Sequence, residues 1–327
     1  MEMERRALYN LMRQNWLLDP TIEAEPWQVE DYRSLPIDSL FERLSKYEIN
    51  LDKNHFIALS DEVDNPEDLT DLLMSDVEMD AISQDKVYLI IFELWRRFIT
   101  NRPCLSIFCD ELDHQIHLYD SEKAEDITSI QDTLANLQVI LDENTDAGAD
   151  PQQVFESICS GCANDVENFL YDYISDQIED GNPAYASDLL DGFINYVKDV
   201  KWFDFLRARL LAQSDVEGTH EIVCQLAEHY LEDNDLDFNL DLLAFMVQAG
   251  DKDLFNKVVK KTMPLIEKED DFKDLLGICA DFFHCLDLES QEQEIQKISR
   301  KRSHLHSEST INAKDPQIAE LLSILNS

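Results

Sequence analysis

LLAFMVQAGDKDLFNKVV, residues 242–259, is the stretch on which the fold turns. Its apolar residues recur three and four apart on both sides of the small element Ala249-Gly250-Asp251, the pattern of two amphipathic helices joined by a tight connection. A related pattern stands 32 residues earlier. RLLAQSDVEGTHEIVCQLAEHYL, 209–231, sets Leu210, Leu211 and Ala212 against Leu242, Leu243 and Ala244 of DLLAFMVQAGDKDLFNKVVKKTM, 241–263. At the same offset Gly218 meets Gly250, Ile222 meets Leu254, Val223 meets Phe255 and Leu226 meets Val258. KDLLGICADFF continues at an offset of 33, from Leu242 to Leu275, without the turn glycine.

On these residues the segment resembles a tetratricopeptide-type helical hairpin, a unit that repeats at about 34 residues. The resemblance covers 200–290. Where that family usually places small residues for close helix approach, this chain has Leu243 and Phe255, so its hairpins are expected to pack at a different distance. The resemblance implies an irregular α-solenoid or bundle in which each hairpin buries its apolar face on its neighbours, leaving a concave surface for a partner.

Outward from this stretch the same reading holds. Seven glycines and nine prolines in 327 residues leave few of the tight turns an all-β chain needs, and 44% apolar content suffices for a real core. The expected class is all-α. Helices are expected at 4–18, 37–49, 66–74, 80–100, 105–119 and 127–141, and beyond Pro151 at 151–160, 164–179, 185–199, 201–213, 219–232, 239–249, 251–266 and 270–286. DENTDAGADP, 142–151, is the clearest interruption and reads as a domain boundary. The expected organisation is a helical domain over 1–145, a hairpin domain over 150–290, and a basic tail with a short terminal helix over 291–327.

Sixty-nine acidic residues against 27 basic ones give a formal charge of −42 at pH 7. Such a surface repels nucleic acid and anionic lipid, whose affinity for proteins comes largely from cations. Protein segments or peptides of basic character are the expected partners; direct nucleic-acid or membrane binding is not expected. The first residues lack a secretory pattern, and the longest apolar run, VYLIIF at 87–92, is far shorter than the roughly 20 residues of a membrane span. Seven irregularly spaced cysteines fit a reducing, cytoplasmic setting.

Cys159 and Cys162 have the spacing of dithiol catalysts and of half a zinc site. The helix before them runs into the pair, which puts Cys159 at a carbonyl end that disfavours a thiolate, so packing is the expected role. On the helix over 105–119, Leu105, Phe108, Leu112, Ile116 and Tyr119 form one stripe. His114 and His117 lie about 140° to 160° from its centre, toward water. Glu111 and His114, and Asp281 and His284, have the spacing of di-iron ligands, but Glu111 lies off the buried stripe. DENTDAGADPQQ, 142–153, offers Asp142, Asn144 and Asp146 at the first three positions of a calcium loop, yet Ala147 stands at the bend and Gln153 replaces the bidentate glutamate. DNDLDFNLDLLA, 233–244, fails in the same way at Phe238 and Ala244.

No glycine-rich phosphate loop, GxSxG or HExxH motif occurs, and no cofactor is expected. The reading that follows is an acidic adaptor, scaffold or chaperone-like protein that binds a basic or amphipathic segment, with Trp202, Phe203, Tyr230 and Phe245 as aromatic anchors on the concave face. The alternative is a metal-dependent all-α enzyme using cysteine, histidine and carboxylate ligands. KISRKRSH, 297–304, is read as a helix end or as a basic lure for the acidic body, and PQIAELLSIL, 316–325, as a helix able to dock in cis or in trans.

Overall fold

The computed structural model describes residues 4–75, 77–121, 128–214, 216–249, 251–312 and 315–326. Among these the chain forms seventeen α-helices, three short 3-10 turns and no strand, with one isolated antiparallel bridge between Lys268 and Thr310. The protein is an all-α helical stack. No helix among the described residues is long and apolar enough to cross a membrane.

Two compact units make up the chain: Met1–Leu170 with Asn195–Val197, and Tyr171–Ile194 with Lys198–Ser327. The first contains α1 (Arg5–Leu18), α2 (Ile37–Ser45), α3 (Lys53–Ser60), α4 (Pro66–Met74), α5 (Ala81–Phe98), α6 (Leu105–Asp120), α7 (Thr128–Asp146) and α8 (Pro151–Ser160); α9 (Val166–Glu179) begins in it and ends in the second. The stretch 142–151, read above as a boundary, contains the end of α7 and the start of α8 and lies inside this first unit.

Side-chain caps set where four of these helices start. Asp52, Asn65, Asp80 and Asp150 accept the backbone N–H three residues on, of His55, Asp68, Ser83 and Gln153. Pro66 and Pro151 occupy first-turn positions where no N–H is needed. α5 is the centre of the unit. Every residue from Val87 to Trp95 is buried, so the β-branched run inside it forms helix because the surrounding helices enclose it on all sides. Glu93, in the middle of that run, is held by Arg96 at 2.7 Å and Arg97 at 2.5 Å.

The second unit holds α10 (Pro183–Phe193), α11 (Val200–Ala212), α12 (Val216–Tyr230), α13 (Leu236–Ala249), α14 (Lys252–Thr262), α15 (Glu269–Cys285), α16 (Glu289–Arg302) and α17 (Pro316–Leu325). Three hairpins pair α11 with α12, α13 with α14 and α15 with α16. The first helices of successive hairpins also touch, α11 with α13 and α13 with α15, which is the layering of a solenoid. Leu226, Leu242, Leu275 and Phe282 belong to one core. Phe255, where a small residue would let helices approach, is fully buried and stacks on Phe282 with centroids 3.7 Å apart. Gly218, aligned with the turn glycine of the next hairpin, lies inside α12, so the two hairpins turn at different places.

Within 291–327, the described residues of α16, α17 and the stretch around Ile311 pack into this unit. Ile311 lies against the core, and Glu269 and Asp270 donate backbone N–H to the carbonyls of Ser309 and Ser307 at 2.8 and 3.1 Å. α17 docks in cis through Leu321, Ile324 and Leu325, and Asn256 donates to the Leu325 carbonyl at 2.8 Å.

Candidate binding surface of the second unit

α11 carries Trp202 and Phe205 three residues apart, on one helical face. From there an edge-to-face aromatic network spreads across three neighbouring helices. Trp202 meets Tyr171 of α9 at 5.5 Å and Phe238 of α13 at 5.3 Å; Phe205 meets Phe245 at 5.6 Å, and Tyr230 meets Phe238 at 5.7 Å. Phe238 is fully buried, whereas Tyr171, Trp202, Tyr230 and Phe245 are half-buried at the rim of this core. Phe203 is different. It is 1% exposed, because the next position along the helix turns about 100° away and points inward, so its ring serves packing and offers nothing to a partner.

Carboxylates frame these rings. The Tyr230 hydroxyl donates to Asp204 at 2.6 Å, and burial together with Asp204 raises the phenol. Lys201 sits 2.5 Å from Asp235 and 3.7 Å from Asp199. Arg209 donates to Ser175 at 2.7 Å and to Glu179 at 2.8 Å. Asp241 lies one turn beyond Asp237 on α13; burial, then repulsion from Asp237, outweigh Arg209 and push its carboxyl above the ordinary 3.8. The same field reaches Tyr171, whose phenol is raised by burial and by Asp241. Aromatic faces and carboxylates both attract Lys and Arg, whose methylenes can cover such rings.

The other sequence candidates are placed elsewhere. Cys159 lies in the last turn of α8 and Cys162 is buried just beyond it. Burial pushes the Cys159 thiol up to about 12, and a hydrogen bond with Cys109, then burial, raises Cys162. Asp142, Asn144 and Asp146 form no loop: α7 continues through Asp146, and helical backbone splays its side chains around the axis and cannot wrap them about an ion. Asp142 instead accepts the Tyr196 hydroxyl at 2.5 Å, and Asn144 donates to the Ile140 carbonyl at 2.7 Å. Likewise α13 begins at Leu236, inside the second calcium-like stretch. Among the described residues no three His, Cys, Asp or Glu side chains gather as a metal ion requires.

Residue patterns also gave no sign of a buried polar network in the first unit. Asp110 and Asp113 of α6 are both buried. Asp110 accepts from Arg6 at 2.6 Å, Arg33 at 2.5 Å and Asn10 at 3.1 Å; Asp113 accepts the backbone N–H groups of Ala163 and Asn164 at 2.9 and 3.0 Å. The side of α6 expected to face water is thus covered by α1, and His114 and His117 line a polar cavity of about 40 Å3 beside Arg6 and Tyr9. Burial, then Arg33, keeps His114 below its ordinary 6.5.

Against protein-family models, curated proteins and solved structures, the chain gives no match.

Proposed function

We propose that this protein is an α-helical interaction protein, an adaptor or scaffold, whose second unit binds a basic or amphipathic protein segment at the surface made by Tyr171, Trp202, Tyr230, Phe245 and Asp241. One observation carries the reading: Tyr171, Trp202, Tyr230 and Phe245 stand half-buried with the carboxylates of Asp204 and Asp241 beside them, so that a Lys or Arg docking there meets aromatic faces and negative charge together. The charge of −42 speeds encounter with such a partner, and the rings supply the contact area.

A fluorescent peptide of alternating lysine, glycine and tyrosine serves as the probe. Its affinity for the full chain falls steeply between about 50 and 500 mM salt, and Asp241→Asn with Asp237→Asn weakens it by about tenfold at low salt. Binding indifferent to salt and to both substitutions overturns the proposal.

A further inference from the structure

The first unit carries an apolar groove that the surface above does not involve. It runs between α6, α7 and α8 and has a volume of about 970 Å3, at the upper end of the roughly 300–1,000 Å3 of ligand clefts. Its floor is one face of α7, where Asn136, Val139, Ile140 and Glu143 recur at intervals of three, one and three residues, a length of about 10 Å at 1.5 Å per residue. Leu105 and Phe108 of α6 form one wall and Val154 of α8 the other. Large apolar side chains stand open to solvent here: Val139 is 52% exposed and Leu105 38%.

The rim decides what fits. Glu143 and Asp150 line the groove, and among the described residues no Lys, Arg or His does. Glu143 lies in the last turn of α7, whose carbonyls add partial negative charge, and Asp150 caps α8, where it accepts the Gln153 N–H. A fatty-acid or phospholipid head would face carboxylates with no cation to meet it. A second copy of this chain would bring another −42 charges to the contact. The length of the floor matches about two turns of helix, the span over which anchors at i, i+3 or i+4 and i+7 fill a groove.

We infer that this groove is a docking site for an amphipathic helix of a partner protein, with an apolar stripe of about two turns lying on Val139 and Ile140 and a Lys or Arg at the stripe's end beside Glu143 and Asp150. The site is independent of the second unit's surface.

The test uses the full chain with Asp237→Asn and Asp241→Asn, which removes two carboxylates of the other surface. The probes are two labelled 14-residue peptides with one leucine stripe, the rest of the first being lysine and of the second glutamate. The leucine–lysine peptide binds and gains helicity, and the leucine–glutamate peptide binds at least about tenfold more weakly. Leu105→Gln with Val139→Gln weakens the leucine–lysine peptide by about tenfold, and Glu143→Gln, an exposed change that leaves the fold intact, by about threefold with a shallower salt dependence. Equal binding of the two peptides overturns the inference, as does binding of the leucine–lysine peptide that neither groove variant alters.

Discussion

Arg302 and Glu269 form a two-pronged ion pair inside the second unit: Nε donates to one carboxylate oxygen at 2.6 Å and Nη2 to the other at 2.5 Å, with 4% and 2% of the two side chains exposed. The remaining nitrogen of Arg302 donates to Asp315 at 2.8 Å and to Gln317 at 2.6 Å, and the guanidinium lies 5.0 Å from the Phe272 ring centre. Since Asp315 also caps α17, one side chain ties together the start of α15, the end of α16 and the start of α17.

Removing one partner leaves a buried charge without its counter-ion. Arg302→Met is therefore expected to destabilise the second unit by about 3–5 kcal/mol, and the double change with Glu269→Met to recover most of that. Urea unfolding measures both. Limited proteolysis should cut the single variant ahead of Pro316, as α17 loses its anchor.

Burial raises the Asp110 carboxyl, but Arg6 and Arg33 outweigh burial and hold it well below its ordinary 3.8. A carboxyl lowered by folding stabilises the native state above its unfolded pKa and loses that contribution as pH falls through the folded value. Acid weakening from this site therefore begins below about pH 4 and deepens from there. Asp110→Asn should be less stable at pH 7 and show a flatter decline below pH 4, read from urea midpoints across pH 2–7.

Gly161 ends α8 against Cys109. An added Cβ would lie 2.9 Å from the Cys109 sulfur and 3.3 Å from the Ile158 carbonyl oxygen. Gly161→Ala is expected to cost about 1–3 kcal/mol through overpacking. Combining it with Cys109→Ala removes the tighter contact and restores most of the loss, with a remainder from the carbonyl contact; thermal unfolding of the three variants checks the order.

With the Cys159 thiol pushed up to about 12, on the order of one molecule in ten thousand carries its thiolate at pH 8. Iodoacetamide should label the exposed Cys285 first and reach Cys159 and Cys162 only after unfolding, which mass spectrometry of timed digests resolves. Fast labelling of Cys159 in the folded protein would contradict the packing role.

Helix positions were legible because their causes are local. Pro66, Pro151 and Pro316 open helices at the positions where a missing donor is harmless, and the segments they start end where the apolar period ends. α3 escaped notice because it is eight residues long and its apolar residues, Phe56, Ile57, Ala58 and Leu59, are consecutive and give no helical period. α7 outruns its apolar stripe for a related reason: Asp142 to Asp146 continue the helix as polar side chains on a solvated turn.

The candidate surface was legible by residue type and not by direction. Trp202, Tyr230 and Phe245 reach the rim, while Phe203, adjacent in sequence to Trp202, turns inward. The groove over α7 was invisible because Leu105 and Val154 become neighbours of Val139 only when three helices pack.

By itself, the order of residues determined that this chain is helical, where most helices begin, and that it carries a large negative charge, since i to i+4 backbone bonding, capping and charge all act within a few positions. Tertiary structure alone decided that Arg302 is a buried tie and not a basic lure, that Asp110 draws Arg6 from 104 residues away, and which aromatic rings stay open. Those outcomes depend on which distant groups share a desolvated space, where an ionised side chain persists only beside a counter-charge, and no local periodicity records that pairing.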